Sequence, residues 1–369
     1  MIYDYLIKWT DKDNNEININ NILDVRVTIN TASESDACEV LLPYRPYTQN
    51  GDIIFTTGEK LQVYFKNDGL IDRDNPDISD LIFTASVEDF EKQISSGTLK
   101  LICTNLTYNL LSSLFNQDVV DTPNKIVDLI VQNADPNGID QTTVPVNIQA
   151  TKSNGDPFDN VNFVSAWKTS YDCIAELSGI ENTGDDQEYL FWFDPDGTFN
   201  WIYPPSDLES LEITYNSGIK DIKHTRSDVE TVAMVIYNAG PDLNGVDTYG
   251  FVYNEFAENI KGAVRYYPML DISKSLKKIN YSPSDNNEFI KEQNRQATIE
   301  AQNVIKKYSG GVDKTTCILQ GQKVNVAKLH TVKSPMFPQK ELRLTRVVHT
   351  FNRNGWETKL ELEEDVRTQ

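Results

Sequence analysis

The most constraining feature of the sequence is a strict two-residue alternation near its C-terminal end. Residues 341–363 contain two alternating runs on either side of Asn352-Arg353-Asn354-Gly355. Successive side chains of a β-strand point to opposite faces of the sheet, so each run has one apolar face and one polar face. Asn-Gly tolerates the positive φ of a primed turn, which predicts an antiparallel hairpin here with one buried face.

The register of this hairpin assigns side chains to its two faces. Pairing across either a two- or a four-residue loop places Val347, His349 and Phe351 on the same face as Trp356, because the side-chain period is two. We predict that this face is buried. The opposite face of the second strand carries Lys359 and three carboxylates that form a predicted acidic face: Glu357, Glu361 and Glu363.

The rest of the chain switches between strand-like and helix-like patterns. Short alternating runs separated by turn sequences indicate antiparallel sheet at both ends of the chain. Between them, the spacing of apolar residues changes to a helical period. The predicted segments are a first β-domain at 1–104, an inserted α/β domain at 105–208, a second β-domain at 209–285 and 309–369, and an inserted helix at 286–308 that ends at Gly310-Gly311.

Three helices and one hairpin are predicted in the inserted α/β domain. The second helix begins at Thr122-Pro123, because threonine caps a helix and proline suits its first position, and it extends to about Ala134. Asp194-Pro195-Asp196-Gly197 marks the hairpin turn. The first helix covers 105–115 with Leu106, Leu110, Leu111 and Leu114 in one stripe, and the third covers 165–178 with Trp167, Tyr171, Ile174 and Leu177 facing inward.

Charge and cysteine content exclude several classes of protein. The net charge of −21 argues against wrapping nucleic acid, which requires clustered lysine and arginine, although it permits a passage through which DNA slides. The four cysteines have no zinc-ligand spacing, so each is predicted to be a small core residue.

No signal peptide or membrane-spanning run is predicted from the sequence. No cofactor or nucleotide motif occurs.

Residues that could carry chemistry have simpler explanations. The histidines His224, His330 and His349 lack a ligand or nucleophile pattern, and packing explains them better than catalysis. Asp11, Asp13 and Asn15 resemble the opening of a calcium loop but lack its glycine and final glutamate. The carboxylates Glu176, Glu181, Asp185 and Asp186 could supply a glycosidase pair, but chance clustering explains them in so acidic a chain. Asp72, Asp74 and Asp77 could hold a weakly bound ion, but a solvated loop is the better interpretation. The aromatics Phe191, Trp192, Phe193 and Trp201 could stack on sugar, but packing across two strands of the core explains them better.

The terminal hairpin resembles a known family. Its sequence, LRLTRVVHTF followed after the turn by GWETKLEL, is similar to the end of phage baseplate hub proteins of the late-control-protein-D type. Related tube modules occur in the N-terminal half of the type VI secretion spike protein VgrG. The order of β-domain, insert, β-domain, insert and final hairpin matches this family, which implies a mixed α+β, mainly antiparallel β fold with two tandem tube-type β-barrels carrying inserted α/β and helical segments.

The resemblance also implies a function. A hub of this kind is a non-enzymatic virion protein of the tail baseplate, assembled in the host cytoplasm. Three copies form a pseudo-sixfold ring that joins the tail tube to the central spike or tail-tip protein, contacts surrounding baseplate proteins and lines the channel for genome ejection during host cell entry. We expect Glu357, Glu361 and Glu363 to line that channel and keep passing DNA from adhering. A tail-associated cell-wall-degrading enzyme and a carbohydrate-binding β-module remain alternatives.

Overall fold

The structure, a computed structural model, divides into two compact units. The first comprises Met1–Lys223 with Thr316–Leu362, and the second comprises His224–Thr315 with Glu363–Gln369. The described residues are 3–31, 36–49, 52–93, 95–134, 144–165, 167–185, 187–206, 208–213, 219–227, 232–253, 265–266, 270–271, 286–308, 312–334 and 337–364.

The N-terminal β-region begins the first unit. Its strands are β1 (Tyr3–Thr10), β2 (Glu16–Ile19), β3 (Asp24–Asn30), β4 (Ala37–Pro43), β5 (Thr48–Gln49), β6 (Asp52–Ile53), β7 (Lys60–Asn67), β8 (Leu81–Gln93) and β9 (Thr98–Thr104). Two 3₁₀ turns, Arg45–Tyr47 and Ile78–Asp80, lie between them.

The inserted segment follows. Its elements are α1 (Leu106–Ser112), β10 (Leu114–Phe115), β11 (Asp118–Asp121), α2 (Pro123–Asn133), β12 (Val146–Ile148), β13 (Val161–Val164), β14 (Lys168–Thr169), α3 (Ser170–Leu177), α4 (Ile180–Thr183), β15 (Leu190–Phe193) and β16 (Phe199–Ile202). The remaining elements are β17 (Leu208–Ile213), β18 (Ile219–Ser227), β19 (Val232–Pro241), β20 (Asp247–Tyr253), β21 (Arg265–Tyr266), β22 (Leu270–Asp271), α5 (Asn286–Tyr308), β23 (Val312–Gln320), β24 (Leu329–Ser334), β25 (Phe337–Asn352) and β26 (Gly355–Glu364).

One large sheet joins the beginning of the chain to its end. Its strand order is β18-β23-β26-β25-β3-β4-β9-β8-β7-β1-β2, and β24, itself paired with β17, adds to β25. The junction is antiparallel, with Val347 opposite Ile29 and Phe351 opposite Val25. The terminal hairpin therefore continues the N-terminal sheet. Among the described strands this order runs from β18 to β2 without closing, so the tandem barrels remain a prediction.

Alternation places the main apolar cluster of this sheet on one face, while Leu6, Tyr64, Ile71 and Leu81 form a smaller separate cluster. In β3, Val25 and Val27 are fully buried while Arg26 between them is exposed. Leu101 of β9 and Leu360 of β26 are likewise fully buried and belong to the same apolar cluster. Burying each such aliphatic side chain contributes about 1.5–3 kcal/mol, so the alternating pattern of the sequence specifies both the register and the buried face.

The inserted segment has its own core. It lies between α2, α3 and the β15–β16 hairpin, where the fully buried residues include Ile126, Ile130, Ile174 and Trp201. Thr122 precedes α2 and Pro123 is its first residue, as the sequence predicted. The amide of Gly197 donates to the carbonyl of Asp194 over 2.9 Å, which closes the predicted turn of the hairpin.

The second unit contains a smaller sheet packed on one long helix. Its strand order is β20-β19-β21, and β22 also pairs with β19. One face packs on α5, where Val235 and Ala239 are buried against Ala297 and Ala301. Helix α5 spans residues 286–308, the range predicted from its pattern. The glycine pair predicted to end it, at 310–311, lies outside the described residues.

The mainly antiparallel α+β class is confirmed, but three local predictions are wrong. The third helix of the insert begins at Ser170, and Trp167 before it is 69% exposed rather than inward. The first helix ends at Ser112, so Leu114 is in β10 and is 62% exposed. In the terminal turn only Gly355 of the Asn-Gly pair has positive φ, at 104°, so the turn is not the primed type. The predicted domain boundaries remain a prediction.

Candidate interaction surfaces

The inner face of the terminal hairpin is buried and polar at its centre. His349, 1% exposed, lies between Trp356 and Thr358, and its Nδ1 is 3.1 Å from the Thr358 hydroxyl. That hydroxyl also donates to the carbonyl of Gln322 over 2.8 Å. Burial lowers the pKa of His349 to about 3, so the imidazole is neutral in the folded chain. This arrangement stabilises the hairpin and confirms the predicted packing role of His349.

The outer face of β26 carries the three glutamates that the sequence singled out. Glu357, Glu361 and Glu363 are all partly exposed and alternate with buried residues, as the two-residue period requires. Glu357 Oε2 lies 3.1 Å from Lys220 Nζ of β18. Glu361 Oε1 lies 2.7 Å from Lys359 Nζ on its own strand. The predicted side of the strand is thus correct, but each of these two carboxylates has a cationic partner.

The remaining contacts complete the charge balance of this face. Glu363 Oε1 lies 3.3 Å from Lys314 Nζ, and Glu361 Oε2 also lies 3.9 Å from the Arg346 guanidinium. Three carboxylates therefore meet four cations. Exposed pairs of this kind contribute little to folding, about 0–1 kcal/mol each. Their larger effect is electrostatic, since the strand face is close to neutral instead of strongly acidic.

An aromatic stripe covers the face of the smaller sheet opposite α5. Tyr249, Phe251 and Tyr253 of β20 are 56%, 59% and 64% exposed. Ile236, directly opposite Phe251 on β19, is 39% exposed. Contiguous exposed apolar surface of this kind usually marks an interaction site. We call Tyr249, Phe251 and Tyr253 the β20 stripe.

The inserted segment also exposes apolar side chains. Trp167 is the extreme case, because it is 69% exposed and has a φ of 62°, a conformation that is strained for a bulky residue. Tyr108 and Leu111 lie one turn apart on α1 and are 40% and 36% exposed. Sequence periodicity placed Trp167 and Leu111 on the inward sides of their helices and made no assignment for Tyr108. The positive φ at Trp167, which no pattern indicated, turns the side chain outward.

The carboxylates of the insert serve structural roles. Glu176 forms an ion pair with Lys168. Asp185 accepts hydrogen bonds from the Tyr189 hydroxyl over 2.7 Å and from the Ser153 amide over 3.0 Å. The side chains of the other two predicted candidates, Glu181 and Asp186, lie outside the described residues. Glu176 and Asp185 thus have contacts that explain them without catalysis.

The acidic loops use their carboxylates to cap their own backbone. Asp11 accepts from the amides of Asp13 and Asn15 over 2.9 and 2.8 Å, and the hydrogen bonds from Asn15 lower the pKa of Asp11. Asp72 accepts from the amide of Asp74 over 3.0 Å. Across the described part of the chain, no group of three or more histidine, cysteine or acidic side chains is arranged to hold a metal ion.

The aromatics of the β15–β16 hairpin belong to the core, as predicted. Phe191 pairs across the strands with Trp201, and the two are 4% and 0% exposed. Trp192 is half-buried and donates to Asp194 Oδ1 over 2.9 Å. A small cavity of about 20 Å³ lies near this hairpin and is lined by His349, Lys323 and Asp194 among others. It has room for little more than one water molecule.

The remaining sequence expectations have direct structural counterparts. All four cysteines are free and fully buried, which confirms their predicted packing role. His330 is fully buried, and His224 Nδ1 lies 2.9 Å from the Thr315 hydroxyl. Among the described helices, none is long and apolar enough to cross a membrane.

Comparisons with known proteins identify the fold. No protein-family model matches the chain, and no curated protein matches it in sequence. The fold is similar to the 43 kDa tail protein of prophage MuSo2 from Shewanella oneidensis, with a TM-score of 0.64, 14% identity and 98% of each chain covered. It is also similar to a tail protein from Neisseria meningitidis MC58, with a TM-score of 0.62, 13% identity, and 98% of this chain and 97% of that chain covered.

A third similar structure widens the comparison. Prophage tail protein gp18 from Listeria monocytogenes EGD-e matches with a TM-score of 0.53 and 11% identity, covering 97% of this chain and 94% of that chain. All three similarities span nearly the whole length of both chains. The chain therefore has the fold of phage tail proteins, and the resemblance to hub-type tail proteins is confirmed at the level of the fold.

Proposed function

We propose that this chain is a structural component of a phage tail baseplate, or of a related contractile injection machine, and acts there as the hub. The observation that carries this proposal is the near-complete overlap with three tail proteins, which includes the large sheet, the insert and the smaller sheet with its helix. Because the match covers 98% of each chain, the similarity extends over the whole fold and is not limited to one shared domain.

In the proposed hub, three copies form a ring with pseudo-sixfold symmetry. The ring joins the tail tube on one side to the central spike or tail-tip protein on the other, and it contacts the surrounding baseplate proteins. Closed rotational symmetry makes such a junction geometrically simple, because each copy offers the same contacts to the next. The protein would be part of the virion and would assemble in the host cytoplasm.

The channel of this ring would carry the genome during ejection. We propose that the β26 face with Glu357, Glu361 and Glu363 lines it. The ion pairs of this face refine the mechanism, because three carboxylates opposite four cations leave a nearly neutral wall rather than a repulsive one. Such a wall neither binds phosphates through free cations nor excludes them.

The contacts of the described residues favour a structural role over the two alternatives. Asp185 and Glu176 are engaged in hydrogen bonds and an ion pair that hold the insert together. Three of the four aromatics that could stack on sugar, Phe191, Phe193 and Trp201, are buried core residues, and the half-buried Trp192 donates to Asp194 Oδ1. A wall-degrading enzyme and a sugar-binding module each require such groups at an accessible site.

A direct experiment is to measure the mass of the purified chain in solution and image it by electron microscopy with and without its tail-tube protein. A hub gives threefold rings that bind the end of the tube. A monomer that releases muropeptides from purified cell walls, or that binds glycans on an array and ignores the tube, would replace the hub by one of the alternatives.

A further inference from the structure

Among the described strands, β20 is the edge strand of the smaller sheet, and it also carries the exposed aromatic face. It pairs there only with β19, so its outer edge has backbone donors and acceptors without a partner among those strands. The stripe residues Tyr249, Phe251 and Tyr253 project from the same strand. An edge with free backbone groups and adjacent apolar side chains is a template for the addition of another strand.

Strand β20 also lacks the features that protect edges in monomeric proteins. Its sequence, DTYGFVY, contains no proline and no lysine, and its only charge is Asp247 at the start. The whole β19–β20 hairpin, residues 232–253, carries two carboxylates and no lysine or arginine. Natural monomers protect such edges with lysine, proline or a bulge in the strand. The composition of β20 is therefore typical of an edge that is covered in the assembled state.

The edge strand β18 of the large sheet is rich in cations, which complements the aromatic and acidic β19–β20 hairpin. Strand β18 is the terminal strand of the large sheet and, among the described strands, pairs only with β23. Its nine residues contain three lysines or arginines and a single carboxylate, in a chain whose net charge is −21. Asp221, Lys223 and Thr225 of β18 are exposed and alternate along one side of the strand.

We infer that β18 of one copy adds to the free edge of β20 of the next copy, so that these two edges form the contact between neighbouring subunits. This inference rests on the proposed hub ring and names the surface that would close it. The contact is heterologous, because two different edges meet, and heterologous contacts generate rings when the rotation closes. Cations of β18 beside the tyrosine and phenylalanine rings of β20 add cation–π attraction.

The stripe alone covers less area than a stable interface between two proteins needs. At the exposures given above, Tyr249, Phe251 and Tyr253 present about 350 Å² of aromatic surface in total, taking about 200 Å² per aromatic side chain. A standard interface buries about 800 Å² on each partner. The stripe alone is too small, so backbone pairing along the seven residues of β20 and flanking contacts must complete the interface.

Two sets of variants test the inference. Phe251→Lys with Tyr253→Lys disables β20, and both positions are exposed, so folding should be retained. Lys223→Glu with Thr225→Glu reverses the charge of β18 without touching the Lys220–Glu357 pair. Leu70→Lys, at a loop position that is 76% exposed, is the matched control. We expect each double variant to raise the concentration for half-assembly at least about tenfold, while the control assembles as the wild type does.

Mixing the two double variants gives the sharpest readout. Each retains one intact edge, so a heterologous contact predicts monomers in each separate sample and one-to-one pairs in the mixture, measured by native mass spectrometry. Trimers that persist in either double variant, or a mixture that stays monomeric, would overturn the edge pairing and leave the ring to other surfaces. A wild-type chain that stays monomeric overturns it as well, and binding to the end of the tail tube then decides the hub function separately.

Discussion

The backbone of Gly321 lies directly against the indole ring of Trp356. A Cβ atom at position 321 would lie 2.2 Å from Trp356 Cγ, and the Gly321 amide donates to the Trp356 carbonyl over 2.8 Å. Gly321→Ala should therefore force this core apart and reduce the free energy of unfolding by about 1–3 kcal/mol. Chemical denaturation of the purified variant measures the loss.

The double-mutant cycle with Trp356→Ala separates steric overlap from other causes. Alanine removes Cγ and the ring atom Cδ2, which would lie 2.2 and 2.3 Å from the added methyl group, and keeps only Cβ. Gly321→Ala should therefore cost less in the Trp356→Ala background than in the wild type. Equal costs in the two backgrounds would show that the close approach of Gly321 to Trp356 does not limit stability.

Local sequence patterns predicted the buried face of the terminal hairpin, but they did not predict which distant strands and side chains contact it. The alternation in 341–363 placed His349 and Trp356 on one buried face, and this is confirmed. It did not reveal that β25 pairs with β3, because partners some 300 residues apart in sequence leave no local signal. The partners of the glutamates were missed for the same reason, since Lys220 and Lys314 come from other strands. Trp167 was misplaced because one residue with positive φ interrupts the helical period.

Neutral His349 should make stability fall in mild acid. Burial lowers its pKa to about 3, whereas an imidazole in the unfolded chain titrates near 6.5. Between these values the unfolded state binds more protons, so the free energy of unfolding should decrease as pH falls through this window, by at most about 1.4 kcal/mol per pH unit. His349→Gln should flatten this dependence in denaturation curves recorded from pH 4 to 7.

A packing variant controls for the loss of stability itself. Phe351→Leu alters the same buried face without removing an ionisable group. It should lower the free energy of unfolding by a similar amount at every pH and keep the wild-type slope. If His349→Gln also keeps that slope, the acid sensitivity comes from another group.

Asp36 should make the free energy of unfolding fall as pH rises, opposite to His349, over a similar pH range. Burial raises its pKa to about 7, although hydrogen bonds from the Asn30 amide and the Asn105 side chain favour the charged form. The folded state therefore binds the proton more tightly than the unfolded state, where the carboxyl titrates near 3.9. The contribution of protonated Asp36 to the free energy of unfolding is therefore fully present below about pH 4 and is lost as pH rises to 7. Relative to the wild type, Asp36→Asn should therefore have a more favourable free energy of unfolding at pH 8 than at pH 5. Asp74→Asn, at an exposed position, is the control and should differ from the wild type by the same amount at both pH values.

Neutralising the glutamates of β26 should make a channel wall adhesive. In particles carrying Glu357→Gln, Glu361→Gln and Glu363→Gln, Lys220, Lys314 and Lys359 would lose these carboxylate partners, and Arg346 would lose its contact with Glu361. Exposed cations bind phosphates, so genome ejection should slow, and the delay should shrink as salt rises. Time-resolved DNA release checks this, with Asp13→Asn, Asp74→Asn and Glu91→Gln at exposed positions as the matched control. Equal release rates in both triple variants would place this face away from the channel.

Trp167 offers a test of whether a strained, exposed side chain serves folding or assembly. Its φ of 62° costs a bulky residue about 1–2 kcal/mol relative to glycine, and a side chain that is 69% exposed gains little from burial. Trp167→Gly should therefore leave the melting temperature unchanged or raise it slightly. Asn14→Gly is the control, because asparagine already tolerates its φ of 63° and should respond less. If Trp167→Gly instead lowers the melting temperature by several degrees, the side chain stabilises the insert; if stability holds while incorporation into particles falls, the exposed indole is an assembly contact.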